Sequence, residues 1–280
     1  MSLKKLAIRF QALGEDWELG TLIEKDSNIY FQYSEKAQKL KVEFSPIRVK
    51  NNATVYQNFP TFLDKLPGFI SDSLPDGWGR LLMDRFFASK GISIFNVSCL
   101  DRLAFLNDRA VGALAFEPGT DSDLSPKELD LLTYSKESIA ISEEKESAAL
   151  IELLYQGGSP HGARPKALIN YNPLTSEKGQ DWLVKFRAAT EHKEVCAIES
   201  WYMDLAKQCG LTVMDHGYIN LDDNNAAFAI KRFDRRDKKK IMLQTLAGIL
   251  HIDYRIPGSI DYLDYLKVVK IVTRSDAEVW

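Results

Sequence analysis

The residues best suited to chemistry begin at Gly157. There Gly157-Gly-Ser-Pro-His-Gly-Ala-Arg-Pro-Lys166 leads from a helix-like stretch into a strand-like run. Arg164 and Lys166 beside Gly162 favour anion binding, because fixed backbone N–H groups and two cations converge there. The loop has neither the GxxxxGK[ST] nor the GxGxxG spacing, and a plain turn between helix and strand accounts for the same composition. Lys185 follows inside the apolar run Trp182-Leu-Val-Lys-Phe186. A charge buried there is costly unless paired, and an outward-facing strand lysine is the alternative. Glu199 falls in the next helical stretch, near the flank of Val195 and Tyr202. An ion pair with Lys185 is open to it, as is the ordinary role of a solvated helix carboxylate. Lys231 to Lys240 gathers cations with Asp234 and Asp237 among them. A solvated turn explains this run. The sharper alternative is a contact with nucleic acid or an acidic partner, and the scarcity of interleaved aromatics argues against nucleic acid.

The order is glycine loop, strand, lysine-bearing strand, acid-bearing helix and two more strands ending in Ile230-Lys-Arg-Phe-Asp-Arg235. It is the layout of a kinase small lobe, in which a carboxylate on a helix holds a lysine against nucleotide phosphates. The elements that must position these groups are legible from pattern. Strands are predicted at Leu6 to Ala12, Trp17 to Ile23 and Ile29 to Tyr33, with turns at Gly14-Glu-Asp and Lys25-Asp-Ser-Asn, giving an antiparallel meander. Helices are predicted at Gly77 to Lys90 and Cys99 to Leu106, then a strand at Val111 to Glu117. Residues 118–147 are polar and read as a linker with helical turns. Beyond it come a helix from Ala148 to Tyr155, strands at Lys166 to Tyr171 and Trp182 to Arg187, and a helix from Val195 to Cys209. That helix has Ile198, Trp201, Tyr202 and Leu205 as its apolar face. Strands at Tyr218 to Leu221 and Ala226 to Phe233 flank the turn at Asp222, and helices come next at Gln244 to Leu250 and Tyr262 to Val272. The fold class is therefore α+β.

At 280 residues the chain makes one large domain or two lobes. A net charge of −3 gives no global basic field for nucleic acid. Three cysteines without metal-ligand spacing fit a reducing compartment. No apolar run approaches the length of about 20 residues that spans a membrane, and the N-terminus lacks a signal-peptide core, so the expected location is cytoplasmic.

Six stretches carry a resemblance. Leu74-Pro-Asp-Gly-Trp-Gly-Arg-Leu-Leu-Met-Asp-Arg85 resembles the N-terminal signature of the HipA-like serine/threonine kinase toxins, and Asp101-Arg-Leu-Ala-Phe with Asn107-Asp-Arg-Ala-Val-Gly-Ala-Leu114 resembles a second block of that family. Gly162-Ala-Arg-Pro-Lys-Ala-Leu168 is similar to its phosphate loop, and Arg232-Phe-Asp-Arg235 with Gln244-Thr-Leu-Ala-Gly248 to its hinge and the segment after it. The resemblance implies a β-rich N-terminal subdomain over 1–117, the linker at 118–147 and an incomplete kinase core over 148–280. It implies that His161, Gly162, Ala163, Arg164, Pro165 and Lys166 cover the phosphates of ATP. Lys185 would touch them, Glu199 would orient Lys185, and Lys231, Arg232 and Phe233 would line the adenine. Ser159 matches the serine that family members phosphorylate on themselves; here Pro160 follows it and stiffens the backbone. The implied chemistry is phosphoryl transfer from Mg-ATP to a protein hydroxyl, with an aminoacyl-tRNA synthetase as a representative target. The implied partners are a HipB-like helix-turn-helix antitoxin, operator DNA reached mainly through it, and a protein substrate, with no membrane.

The departure from the family lies beyond Lys231. Asp253, Asp261, Asp264 and Asp276 have no catalytic-loop neighbours, so the catalytic base and the Mg2+ ligands are expected beyond Trp280, and the chain alone is expected to be inactive. Val268, Ile271, Val272 and Trp280 are expected to form an apolar face. A catalytically inactive ATP- or antitoxin-binding module is the alternative function. An unrelated ATP-grasp enzyme is disfavoured because the Leu74 to Arg85 block has no place in that fold.

Overall fold

The computed structural model describes residues 3–120 and 127–275. In chain order its elements are β1 (Lys5–Phe10), β2 (Trp17–Lys25), β3 (Asn28–Tyr33), α1 (Glu35–Leu40), α2 (Gly68–Ser71), α3 (Gly77–Ser89), α4 (Cys99–Leu106), β4 (Leu114–Glu117), α5 (Leu131–Ser142) and α6 (Leu150–Gly157). Then come β5 (Lys166–Tyr171), β6 (Lys178–Phe186), α7 (Glu194–Gln208), β7 (His216–Asn220), β8 (Ala226–Lys231), β9 (Arg235–Arg236), β10 (Lys239–Lys240), α8 (Leu246–Leu250) and α9 (Tyr262–Thr273). The class is α+β with antiparallel sheets.

Two compact units interleave along the chain. Met1–Leu74, Ser98–Asp121 and Ile241–Trp280 form the first; Pro75–Val97 and Ser122–Lys240 form the second. They cut across the boundaries expected at 117 and 147. α3, expected in an N-terminal subdomain, belongs to the second unit, and Gln244 to Gly248, expected in the kinase core, belongs to the first. The expected linker also contains α5, whose Tyr134, Ser135, Ser138 and Ile141 are buried. A polar stretch hid this helix because only one stripe of it needs to be apolar or small.

The first unit is built on a sheet ordered β3-β2-β1-β4. Leu6 and Ile8 on β1 and Ile29, Phe31 and Tyr33 on β3 are buried at the period of two that a strand requires, whereas β2 buries both Leu19 and Leu22 across a register shift opposite Ile8 and Arg9. Asp26 and Ser27 take left-handed φ values of 50° and 61° in the two-residue β2–β3 turn, the conformation whose twist matches the flanking strands. Phe31, Tyr33 and Phe69 cluster beneath the sheet, with the Phe31 and Tyr33 rings 4.8 Å apart edge-on. α4 begins with a reciprocal cap in which Ser98 and Asp101 each accept the other's backbone N–H.

Gln244 to Gly248 docks in this unit through polar contacts. Asp72 accepts the Thr245 N–H (2.7 Å) and hydroxyl (2.8 Å), while Gln244 donates to the Phe44 carbonyl (2.5 Å). Of the apolar residues expected on one face of α9, Val268 is buried, whereas Ile271 and Val272 are half-exposed. Trp280, like Asp276, lies outside the described residues.

His251 accepts the Gly68 N–H at Nε2 (3.0 Å), which requires a neutral ring nitrogen there. Burial, reinforced by Arg48, pushes its pKa from 6.5 down to about 4. Between these values the unfolded chain takes up a proton that the folded chain excludes. The contribution is therefore intact above pH 6.5 and lost as pH falls toward 4. Urea unfolding across that window should show His251→Gln losing less stability than the unaltered chain; parallel curves would contradict the assignment.

Candidate functional site

The second unit centres on a four-stranded antiparallel sheet ordered β5-β6-β8-β7. Register divides its faces. Ala167, Val184 and Ala229 pair across the strands on one face, where Tyr134 of α5 stacks on Phe186 with ring centroids 5.0 Å apart. Lys166, Lys185 and Phe228 form a cross-strand row on the other face, toward α7. Lys185 is therefore not an outward-facing strand lysine.

α7 meets this sheet through small side chains. Cys196 packs with Ala226 and Phe228, and Ser200 is buried one turn on. The side of β8 that faces the helix carries Ala226, Phe228 and Ile230, against which Val195 and Met203 also pack. Ile198, Trp201, Tyr202 and Leu205, expected to be its apolar face, are instead exposed. Hydrophobicity pointed to the wrong side because the positions that α7 buries, Cys196 and Ser200, are less hydrophobic than the ones it exposes. Cys196, Glu199, Ser200 and Met203 follow helical spacing, so Glu199 sits on the sheet-facing side.

Glu199 Oε1 accepts a hydrogen bond from the Lys185 ammonium. That ammonium also lies over the Phe228 ring, 5.5 Å from its centroid. Directly opposite, Lys166 is buried, and its Nζ donates to the His161 carbonyl (2.7 Å), a neutral acceptor. Two like charges facing each other across adjacent strands repel. Burial lowers the Lys166 pKa to about 8; Asp76 and Glu199 oppose that shift and Lys185 adds to it. Arg164 donates to Glu191 through Nε (3.0 Å) and Nη2 (2.7 Å), and its Nη1 stands 4.0 Å from Glu199.

His161, Gly162, Ala163, Arg164, Lys166, Lys185 and Glu199 line one cleft of about 490 Å3, completed by Val195, Ile198 and Tyr202. Gly162 has to be glycine: its φ is +106°, and a Cβ would stand 2.6 Å from the Lys166 Nζ. Pro165 lies behind the cleft, extending the β5–β6 ladder by accepting the Phe186 N–H (2.9 Å). Ser159 is buried.

Lys231, Arg232 and Phe233 do not line this cleft. Lys231 pairs with Trp182, whereas Phe228 pairs with Lys185, which places Lys231 about 10 Å further along the strand. Arg232 makes a two-pronged ion pair with Asp234 (2.8 and 2.7 Å), which also binds Arg235, and all three side chains are largely buried. This part of the cationic run is thus a folded ion cluster rather than a solvated turn, while Phe233 is exposed.

Sequence reading missed three residues behind the loop. The Gly162 N–H donates to Asp76, and the Trp78 N–H donates to the Gly162 carbonyl (3.1 Å). Tyr134, fully buried, donates to the Lys166 carbonyl (2.5 Å). A usable signal was Gly77-Trp-Gly79 in the first turn of a helix, where each glycine costs about 1 kcal/mol unless another backbone approaches.

Comparison with known proteins agrees in both halves. A family model described as HipA-like C-terminal domain matches residues 158–279, and one described as HipA N-terminal domain matches residues 11–117. Among solved structures, the chain is similar to one in the Shewanella oneidensis MR-1 toxin–antitoxin complex of HipA, HipB and operator DNA. Identity is 16%, the TM-score is 0.56, and the match covers 94% of this chain and 63% of that one. At that identity the likeness shows the fold, and this chain spans 63% of the relative's length. No curated protein matches the chain.

The buried Lys166 charge has a measurable consequence. Because its folded pKa is about 8 against 10.5 unfolded, the unfolded chain holds the extra proton between those values, and stability should rise with pH across that window. Lys166→Met should flatten this rise in chemical unfolding measured from about pH 7.5 to 10. An unchanged slope would show that the ammonium is not held in an unfavourable environment.

Proposed function

Because this chain belongs to the HipA-like family, we propose that it forms the nucleotide-holding part of a serine/threonine protein kinase of a toxin–antitoxin system. The observation that supports this reading most is the Lys185–Glu199 pair facing the buried Lys166 in one cleft beneath a glycine loop. Lys166 has a neutral acceptor and a like-charged neighbour, so an anion in the cleft would relieve its repulsion with Lys185. The triphosphate of ATP fits this donor set: Lys166 and Lys185 would supply ammonium donors and the loop from His161 to Lys166 would cover the chain of phosphates. Glu199 keeps the Lys185 ammonium aimed into the cleft, and the Arg164–Glu191 pair fixes the outer edge of the loop. The end of β8 at Lys231, with Arg232 and Phe233, would contact the adenine, partly through backbone groups.

ATP would supply the transferable phosphoryl group and magnesium would shield its charge. Among the described residues no group of three His, Cys, Asp or Glu side chains could hold a metal ion. The acceptor would be a serine or threonine of a protein involved in translation, such as an aminoacyl-tRNA synthetase. Ser159 would be a self-phosphorylation site, and its burial means that the loop must open for it to react. A HipB-like antitoxin would be the partner, carrying the complex to operator DNA. No described helix is long and apolar enough to cross a membrane.

Calorimetric titration of the full chain with ATP, with and without magnesium, tests the pocket. Saturable binding should weaken at least about tenfold in Lys185→Ala, the loss expected for a charge-assisted contact. No binding by either chain would overturn the nucleotide reading. Binding without phosphoryl transfer to any protein would leave a nucleotide-binding module.

A further inference from the structure

Asp76 occupies the N-cap position of α3, yet its carboxylate makes no cap hydrogen bond to the backbone of that helix's first turn. A side-chain cap normally satisfies one of the donors that a helix start leaves open. Here the caps are exchanged with the glycine loop: Asp76 accepts the Gly162 N–H, and the Trp78 N–H is satisfied by the Gly162 carbonyl at 3.1 Å. One loop residue is thus held at both of its backbone polar groups. Glycines make the approach possible. A Cβ at Gly77 would stand 2.7 Å from the Ala163 Cα, and one at Gly79 would stand 2.6 Å from the Gly158 carbonyl oxygen. The start of α3 therefore seats the loop on both sides of Ser159, Pro160 and His161.

We propose that Asp76 is a positioning residue for the phosphate loop, holding Gly162 by hydrogen bond and placing a negative charge beside the Lys166 ammonium. The two actions are separable. The hydrogen bond fixes the loop backbone over the cleft. The charge keeps Lys166 protonated against burial and against Lys185, with Glu199 of α7 assisting; His161 and Arg164 are the remaining titratable groups of the loop around it. The effect on affinity rests on the nucleotide reading; the ordering of the loop does not.

Hydrogen exchange of loop amides and ADP titration across pH, both on the full chain, test it with three variants. Asp76→Ala should speed exchange at Gly162 and weaken ADP binding by about tenfold each, the loss of one charge-assisted bond. Asp76→Asn still offers an oxygen acceptor but no charge. It should keep the Gly162 protection while the alkaline loss of ADP binding moves to lower pH, a shift that a purely structural role would not produce. Asp76→Glu keeps the charge but displaces the acceptor by one methylene, so it should expose Gly162 while leaving the alkaline limb in place; it also serves should the alanine variant not fold. Unchanged Gly162 exchange in the alanine and glutamate variants would overturn the proposal. Absence of ADP binding by the unaltered chain would instead sink the nucleotide reading, with the exchange data still deciding the role of Asp76.

Discussion

Two ammonium groups on adjacent strands, Lys166 and Lys185, set the terms for the second unit. Like charges at directly opposed positions are unfavourable, and burying one of them adds a desolvation cost. The surrounding structure is arranged around that cost. Glu199 is delivered by α7 to Lys185, the His161 carbonyl is turned to Lys166, and Gly162 leaves room for the Lys166 Nζ. The arrangement remains short of full neutralisation at Lys166, whose pKa burial holds near 8. A buried cation whose hydrogen bond goes to a neutral carbonyl is costly to stability, and perturbed groups of this kind cluster at functional sites.

Geometry at this site depends on small residues more than on large ones. α7 can bring Glu199 to the sheet because Cys196 and Ser200 are its buried positions there, with Cys196 against Ala226 and Phe228 of β8. α3 can reach the loop because Gly77 and Gly79 lie at its first turn. Tyr134 supplies the large buried group, stacking on Phe186 beneath the sheet and bonding the Lys166 carbonyl, so that the residue carrying the critical charge is fixed at its backbone as well.

Much of this was legible in the sequence where local pattern decides structure. The β1–β3 meander, α4 and β5 follow from alternation, turn residues and caps, and the loop, Lys185 and Glu199 follow from their order. What was illegible depended on long-range packing. Hydrophobic periodicity placed the apolar face of α7 at Ile198, Trp201, Tyr202 and Leu205, whereas the positions it buries against the sheet are Cys196 and Ser200. Residues 118–147 read as a linker because α5 buries Tyr134, Ser135, Ser138 and Ile141, a stripe that includes two serines. The role of the Leu74 to Arg85 motif in holding a loop far away in sequence could not be read from spacing at all, since only the fold brings Asp76 to Gly162, 86 residues later.

Calorimetric comparison of adenosine, AMP, ADP and ATP on the full chain at one ionic strength tests most directly whether the paired lysines receive phosphate. Affinity should climb by at least about tenfold from AMP to ADP, as charge-assisted bonds to Lys166 and Lys185 form, and should fall away above pH 8 as Lys166 loses its proton. Equal affinity for adenosine and its phosphates, with no dependence on pH in that range, would contradict the assignment of the cleft as a phosphate site.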